Sequence, residues 1–244
     1  MGCCIGTPKG TGGALTGGLS KARTDAALGD EYVLGKRLGA GVQGAVYEAT
    51  HAATGRRVAV KRVRVGAWRS AARRESAVAE LECLGRLRHP HCVGLVDAFL
   101  AQGELSLVMD LAEGSTLLSY LVGLRKLADR GVAAARGQEL LRQLTSAIAH
   151  VHARGVVYRD LNLENVVVGG GAEGPPVVRL IDFGAALPLS RRERLQGVPA
   201  LGTTLFQAPE VEAMEPYGQQ ADLWGLGVIM YLVIGGGMPF EHSA

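Results

Sequence analysis

The most informative run of the sequence is Tyr158-Arg159-Asp160-Leu161-Asn162-Leu163-Glu164-Asn165, which is followed by Ile181-Asp182-Phe183-Gly184. Asp160 is a candidate proton acceptor, and it precedes a candidate metal ligand, Asn165, by five residues. Asp182 ends an apolar, strand-like run, and the glycine after it lets the backbone turn. One carboxylate that orients a hydroxyl and two oxygen ligands for Mg²⁺ are what phosphoryl transfer requires, because that chemistry depends mostly on positioning and charge neutralisation.

Two motifs upstream fit the binding of a nucleotide. A G-x-G-x-x-G-x-V pattern, whose glycines allow a hairpin to lie close over phosphates, is formed by Gly39, Gly41, Gly44 and Val46. Alone this pattern is weak evidence, since the chain has 35 glycines. It gains weight from Val58-Ala59-Val60-Lys61, because the lysine follows Gly39 by 61 − 39 = 22 residues and its ammonium can hold phosphates.

Three further runs follow the same order along the chain: Leu105–Gly114, Gly202–Glu210 and Asp222–Gly227. Taken with the motifs above, they resemble the protein kinase family over residues 32–242. The resemblance is greatest to the calmodulin-dependent and calcium-dependent group of serine/threonine kinases. It implies an α+β, bilobal fold with a β-rich N-lobe containing one main helix and a mostly helical C-lobe.

The resemblance also implies an ion pair between Lys61 and a glutamate on the next helix. Glu75, Glu80 and Glu82 all lie on the helix predicted from about Trp68 to Arg88. Glu80 has the family's spacing to His89-Pro90, and Glu82, two residues on, points to a different helical face. We therefore predict Glu80 as the partner, while Glu75 and Glu82 fit a solvated face.

The remaining site residues follow from the resemblance, which implies ATP and Mg²⁺ as cofactors. Asp160, Lys61, Glu80 and Asn162 are the predicted catalytic residues, and Asn165 and Asp182 are the predicted metal ligands. Met109 is the expected gatekeeper, and the backbones of Asp110 and Ala112 are expected to bind the adenine edge. The predicted nucleotide contacts are Leu38, Gly39, Gly41, Gly44, Val46, Ala59, Lys61, Met109, Asp110, Ala112, Val167 and Asp182.

Several positions depart from the family pattern. Tyr158 replaces the usual histidine, where an aromatic side chain suffices. Asn162 replaces the lysine usual in serine/threonine kinases, and loss of a cation near the transferred phosphoryl is expected to cost on the order of 10²-fold in rate. Thr203 still favours serine or threonine substrates. Between Gly184 and Gly202 the single hydroxyl is Ser190, with Pro199 at the usual phosphosite, so control by a loop phosphothreonine is not expected.

Composition limits the class of protein. With 244 residues, 48% of them hydrophobic, the chain can bury a substantial core. A net charge of +3 without a basic block argues against nucleic-acid binding. Four cysteines do not form a disulfide framework in a chain this long, and Cys83 and Cys92 are expected to be buried thiols.

The chain is predicted to divide into a disordered segment, residues 1–29, and a kinase domain, residues 30–244. The N-lobe is expected over about 30–111 and the C-lobe over about 112–244, with helices at Thr116–Leu124 and Ala133–Arg154. Family members continue through further helices, one of which supplies an arginine to the residue matched by Glu210. The C-lobe is therefore expected to be incomplete, with one side of the helix opened by Asp222 left uncovered.

Two features bear on membranes. Met1-Gly2-Cys3-Cys4 offers a glycine for myristate and cysteines for palmitate, although Gly6 stands where the myristoylation pattern has Ser or Thr. We predict a cytoplasmic protein that can be anchored to the cytoplasmic face of a membrane. Leu223–Phe240 is nearly free of charge, but its glycines and Pro239 favour a buried helix over a membrane span.

The leading interpretation is a serine/threonine protein kinase that acts on protein hydroxyls. The alternative is a pseudokinase or nucleotide-binding scaffold, which Asn162 and the incomplete C-lobe favour and the intact Lys61, Glu80, Asp160, Asn165 and Asp182 set opposes. A fragment that does not fold stably is a third interpretation.

Overall fold

The computed structural model describes residues 21–41, 44–64, 71–126, 130–170, 174–189, 193–196 and 204–240. These residues form two compact units. The first unit comprises the described residues up to Arg88 together with Val93–Leu111, and the second comprises His89–Cys92 and the residues from Ala112 onwards. Four sequence-based predictions concern residues outside the described ranges, namely acylation at Gly2, Cys3 and Cys4 and the roles of Ser190, Pro199 and Thr203.

The first unit is built on a five-stranded antiparallel sheet in the order β1-β2-β3-β5-β4. The strands are β1 (Tyr32–Gly41), β2 (Gly44–His51), β3 (Arg57–Arg64), β4 (Leu95–Ala101) and β5 (Glu104–Asp110). Alternation along β3 assigns Val58 and Val60 to one face of the sheet and Ala59 and Lys61 to the other. The first face carries an apolar cluster that includes Val58, Val60, Val108, Phe99 and Tyr32.

The described part of the first unit contains one long helix, α2 (Ala71–Arg86), and a short helix, α1 (Leu28–Glu31), that precedes β1. The sequence predicted α2 from about Trp68 to Arg88, and the helix ends two residues earlier than expected. The residue before a proline disfavours the helical conformation, which fits the end of α2 ahead of His89-Pro90. Buried residues on α2 include Val78, Leu81 and Leu84.

The prediction that residues 1–29 are disordered is wrong for residues 21–29. The Arg23 N–H donates to Ala98 O at 2.7 Å and the Leu100 N–H donates to Arg23 O at 2.9 Å, so this segment pairs with the edge strand β4. The Arg23 guanidinium binds Glu31 at 2.6 Å and Asp97 at 3.0 Å, and it lies 5.0 Å from the centre of the Phe99 ring. Composition suggested disorder here, and it could not reveal the contact with Asp97, which lies 74 residues away in sequence.

The second unit is mainly helical. Its long helices are α3 (Leu117–Arg125), α4 (Arg130–Ala153) and α6 (Gln220–Gly235), with a short α5 (Pro209–Glu212). Buried Leu140, Leu144, Ile148 and Val151 recur along α4 at helical spacing. The expected Ala133–Arg154 helix thus begins three residues earlier, whereas the expected Thr116–Leu124 helix begins at Leu117 because Thr116 is its N-cap and accepts from the Ser119 N–H.

Small strands complete the second unit. They are β6 (Ser115–Thr116), β7 (Val156–Val157), β8 (Val166–Gly169), β9 (Val177–Leu180) and β10 (Leu187–Pro188). One sheet has the order β6-β8-β9, and β7 pairs with β10. The β8–β9 hairpin links the two decisive sequence runs, since it connects the residues after Asn165 to those before Asp182.

Helix α6 is apolar around most of its circumference and ends at Gly235; the C-cap residue Gly236 has a left-handed φ of 81°. One side, including Ile229 and Leu232, is buried. The other side is open in the described part of the chain, where Ile234 is 77% exposed. The open side agrees with the expectation from sequence that one side of this helix is uncovered. Within the described ranges, no helix combines the length and the apolar character that a membrane span needs.

Candidate active site

The first unit places a lysine and a glutamate in contact in its interior. Lys61, on β3, is 4% exposed, and Glu80, on α2, is 1% exposed. The Lys61 Nζ donates to Glu80 Oε1 at 2.7 Å. Of the three candidate glutamates, Glu75 is exposed and Glu82 pairs with Arg86 one helical turn later. The pair is buried and charge-assisted, so the ammonium is held in one place.

Other predicted nucleotide contacts share the sheet face of Lys61. Val46 stands opposite Lys61 in the β2–β3 ladder, and Met109 stands opposite Ala59 in the β3–β5 ladder. Residues directly opposite in an antiparallel ladder point to the same face, as do residues two apart on one strand. One face of the sheet therefore carries Val46, Ala59, Lys61 and Met109.

The glycine-rich hairpin connects β1 to β2, and Leu38, Gly39 and Gly41 lie on β1. Gly44, at the start of β2, has φ +147°, and a Cβ there would lie 2.3 Å from Arg62 O. No larger residue fits this position without moving β3. At Gly39 a Cβ would meet nothing within 4 Å. The space next to Gly39 is therefore open.

Asp110 and Ala112, whose backbones are predicted to bind the adenine edge, differ in what they can offer a ligand. The Asp110 N–H already donates to Gly94 O at 3.0 Å. The backbone carbonyl of Asp110 is therefore the group that could bind adenine. The Asp110 side chain accepts from Arg56 at 2.6 Å and from the Gly94 N–H at 3.1 Å. Ala112 begins the second unit, which also contains Val167, buried on β8.

The second unit holds Asp160 between two asparagine amides. Asn162 Nδ2 donates to Asp160 Oδ1 at 2.8 Å, and Asn165 Nδ2 donates to Asp160 Oδ2 at 2.8 Å. Burial raises the pKa of Asp160 above its ordinary value; the hydrogen bonds from Asn165 and Asn162 oppose this rise, and the charge of Asp182 adds to it. The carboxylate is thus fixed in one orientation with donors on both oxygens.

Asp182 lies next to Asn165 through the backbone. The Ile181 N–H donates to Asn165 O at 2.9 Å, which extends the β8–β9 ladder by one pair and sets Asp182 just beyond it. Asp182 is exposed, has φ 50°, and accepts from the Gly184 N–H at 3.1 Å. Asp182 offers an exposed carboxylate and Asn165 offers a side-chain amide oxygen, and hard oxygen donors of this kind suit Mg²⁺.

Tyr158 packs against the residues on either side of Asp182. It is fully buried, its ring meets Phe183 edge-to-face at 5.1 Å, and its hydroxyl donates to Ile181 O. Burial, with smaller effects from nearby carboxylates, raises the pKa of Tyr158 well above its ordinary value, so the phenol stays neutral. An aromatic residue therefore fills the position where the family usually has histidine.

Sequence reasoning did not include Asp222 among the site residues. Asp222 lies in the first turn of α6. Its carboxylate accepts from the Tyr158 N–H at 2.8 Å, the Arg159 N–H at 2.7 Å and His152 Nε2 at 2.7 Å. Arg159, whose φ is 72°, also donates to the Tyr217 hydroxyl at 2.9 Å. Asp222 lies in a quoted motif, but its contacts span more than sixty residues of sequence, so the motif could not reveal them.

Fold and site together define a protein kinase domain. The family model described as protein kinase domain matches residues 32–244, and the chain belongs to this family. It is similar to CBL-interacting protein kinase 4 of Oryza sativa subsp. japonica, with 35% identity over 216 residues, 87% of this chain and 46% of that protein.

Two further relatives are similar to the chain at comparable identity. A probable myosin light chain kinase of Dictyostelium discoideum is 31% identical over 218 residues, 89% of this chain and 54% of that protein. NUAK family SNF1-like kinase 1 of Homo sapiens is 31% identical over 215 residues, 88% of this chain and 31% of that protein. The chain thus spans about half, or less, of the length of these curated relatives. They confirm the recognition of the serine/threonine branch.

Proposed function

We propose that the chain is an ATP-dependent serine/threonine protein kinase. The observation that carries the proposal is the Asp160 carboxylate, held on both oxygens by Asn162 and Asn165, with Asp182 next to Asn165 along the β8–β9 hairpin. Support for the general class comes from the family match and the kinase relatives. Neither supports the alternative of a scaffold without transfer.

In the proposed reaction, Asp160 orients the substrate hydroxyl and accepts its proton. The hydroxyl oxygen forms a bond to the γ-phosphorus as the bond from that phosphorus to the bridging oxygen breaks, which leaves ADP. Lys61, fixed by Glu80, is the cation for the α- and β-phosphates. The donors on Asp160 leave lone pairs on both oxygens, since a carboxylate can accept about four hydrogen bonds.

The oxygen donors present also fit a magnesium ion. Asn165 and Asp182 are the residues that would hold it. Bound Mg²⁺ would neutralise charge on the phosphate oxygens. Asn165 turns its NH₂ group towards Asp160, which leaves its carbonyl oxygen as the ligating atom.

Serine and threonine are the proposed acceptors because Gly202–Glu210 has the serine/threonine form and the A-A-R pattern of tyrosine kinases is absent after Asp160. The test is transfer of labelled γ-phosphate to a mixed protein substrate, with phosphoamino-acid analysis of the product. We expect phosphoserine and phosphothreonine, and a rate lowered by about 10²–10⁴-fold in Asp160→Asn. Phosphotyrosine as the main product, or full activity in Asp160→Asn, would overturn the proposal.

Attachment to a membrane through Gly2, Cys3 and Cys4 stays a prediction from sequence, to which the comparisons add no support. Stable anchoring needs two acyl chains, because one myristate binds only marginally. The intact mass of the full chain from a eukaryotic host tests it. We expect the mass of a myristoylated chain, and Gly2→Ala should lose that increment. An unmodified wild-type N-terminus would remove the prediction.

A further inference from the structure

Asn162 is bonded at both ends of its side chain. It is 7% exposed, and its Oδ1 accepts from the backbone N–H of Glu164 at 2.9 Å and of Asn165 at 3.1 Å. Its Nδ2 donates to Asp160 Oδ1 at 2.8 Å and to Asp160 O at 3.2 Å. One neutral side chain therefore links the carboxylate to the turn that leads to Asn165.

These contacts determine which way the amide faces. A backbone N–H can only donate, so the atom facing Glu164 and Asn165 must be the carbonyl oxygen. The NH₂ group then faces Asp160, whose carboxylate can only accept. Neither charged replacement can do both, because a lysine ammonium only donates and an ionised aspartate only accepts.

Asn162 and Asn165 act on different oxygens of Asp160. Asn162 reaches Oδ1 and Asn165 reaches Oδ2, each at 2.8 Å. A single donor would leave the carboxylate free to rotate about its last bond, whereas donors on both oxygens fix its plane. Hydrogen bonds to a charged group are stronger than those between neutral groups, so each donor has a substantial effect.

We propose that Asn162 is a positioning residue for phosphoryl transfer, whose oxygen builds the turn from residue 162 to residue 165 and whose NH₂ group fixes the Asp160 carboxylate. The proposal rests on the proposed kinase function. It revises the expectation from sequence that Asn162 is a lysine position lacking its charge. In this chain a lysine at 162 would lose both backbone hydrogen bonds and should lower the rate.

Two substitutions separate the two ends of the side chain. Asn162→Asp keeps an acceptor for the Glu164 and Asn165 N–H groups but loses the donor to Asp160. Asn162→Lys keeps a donor but loses the acceptor. Asn162→Ala loses both. Leu163→Met is the matched control, since the Leu163 side chain takes no part in these bonds.

The kinetic readout is kcat against the dissociation constant of Mg·ATP, with amide hydrogen exchange as a readout of the turn. We expect Asn162→Asp to lower kcat by about 10- to 100-fold, the effect of one hydrogen bond to a charged group, with nucleotide affinity nearly unchanged. The Glu164 and Asn165 amides should stay protected in Asn162→Asp and lose protection in Asn162→Lys and Asn162→Ala. A kcat in Asn162→Lys that equals or exceeds wild type would overturn the proposal, as would an unchanged kcat in Asn162→Asp.

The carboxyl ¹³C resonance of Asp160 needs no turnover, and it separates this proposal from the kinase function. It should shift or broaden in Asn162→Asp and Asn162→Ala but not in Leu163→Met. An unchanged resonance in the first two variants contradicts the positioning role whether or not the chain transfers phosphate. If the resonance shifts in these two variants but the wild-type chain transfers no phosphate, the kinase function is contradicted and the positioning role is not.

Discussion

At the scale of single residues, the first unit is defined by a charged pair in its interior. Lys61 and Glu80 are both buried, and their contact is 2.7 Å long. Taking two charges out of water is costly, and the pair is stable only because each charge offsets the other. Its presence in the interior of a sheet-and-helix unit is better explained by a use of the ammonium than by stability.

Glu80→Gln should lower the free energy of unfolding by about 3–5 kcal/mol, because it removes this carboxylate from a buried ammonium. Replacing both partners by apolar residues, as in Lys61→Met with Glu80→Leu, should recover much of that loss. Denaturant unfolding of the single and double variants measures both effects. Glu82→Gln is the matched control, since Glu82 is half-buried and pairs with Arg86 on the same helix. Equal costs for Glu80→Gln and Glu82→Gln would contradict the buried pair.

Gly44 shows how a single backbone position constrains the glycine-rich hairpin. Gly44→Ala should destabilise the first unit by about 1–3 kcal/mol, because φ is +147° and a Cβ would lie 2.3 Å from Arg62 O. Gly39→Ala, where a Cβ meets nothing within 4 Å, should cost less. Thermal unfolding of the two variants compares them. If Gly39→Ala proved the more damaging substitution, the strain assigned to Gly44 would be wrong.

Among the elements, the segment before β1 extends the pairing of the sheet. Arg23 adds a short backbone pairing to β4, the edge strand of the sheet. An unpaired edge offers N–H and C=O groups to other chains, so covering it also protects the sheet. Arg23 makes this pairing specific, because it binds Glu31 on α1 and Asp97 on β4 at once.

Arg23→Ala should lower the melting temperature more at neutral pH than at acidic pH. Hydrogen bonding from Arg23 lowers the pKa of Glu31 below its ordinary value, so the favourable contribution is present above the usual glutamate range. It is lost as the pH falls through the lowered pKa, where Glu31 becomes protonated in the folded chain. Melting curves of wild type and Arg23→Ala over this pH range measure the effect.

The control for Arg23→Ala is Arg64→Ala, which removes an exposed arginine at the end of β3. Its effect on the melting temperature should be small and should not depend on pH in this way. A difference between wild type and Arg23→Ala that stays constant down to acidic pH would contradict the ion pair with Glu31.

The sequence predicted those parts of the site that depend on local spacing. Asp160 and Asn165 lie five residues apart in one loop, and Lys61 follows the apolar run Val58-Ala59-Val60, so these local motifs were enough. It could not predict Arg23 with Asp97, 74 residues apart, or Asp222 with Tyr158, 64 residues apart. Such contacts depend on how strands and helices pack, which no local pattern contains.

Asn162 shows a different limit of sequence reasoning. Comparison of residue types suggested a missing cation, because only the charge of the side chain was considered. The structure shows a buried amide with four hydrogen bonds, which a charge comparison does not reveal.

At the scale of the whole molecule, the two units carry different parts of the proposed chemistry. The first contains the Lys61–Glu80 pair, and the second contains Asp160, Asn165 and Asp182. In the proposed reaction, Asp160 serves the acceptor hydroxyl whereas Asp182 serves the metal-bound nucleotide. The two carboxylates should therefore fail in different ways when each is neutralised.

These two roles are tested by titrating a fluorescent Mg·ATP analogue into wild type, Asp160→Asn and Asp182→Asn. The same samples are assayed for phosphate transfer. Both variants should lose transfer. Asp160→Asn should bind the nucleotide as wild type does, because Asp160 orients the acceptor. Asp182→Asn should bind it much more weakly, because Asp182 is one of the residues that would hold the metal. Unchanged affinity in Asp182→Asn, or equal weakening in both variants, would contradict the assignment.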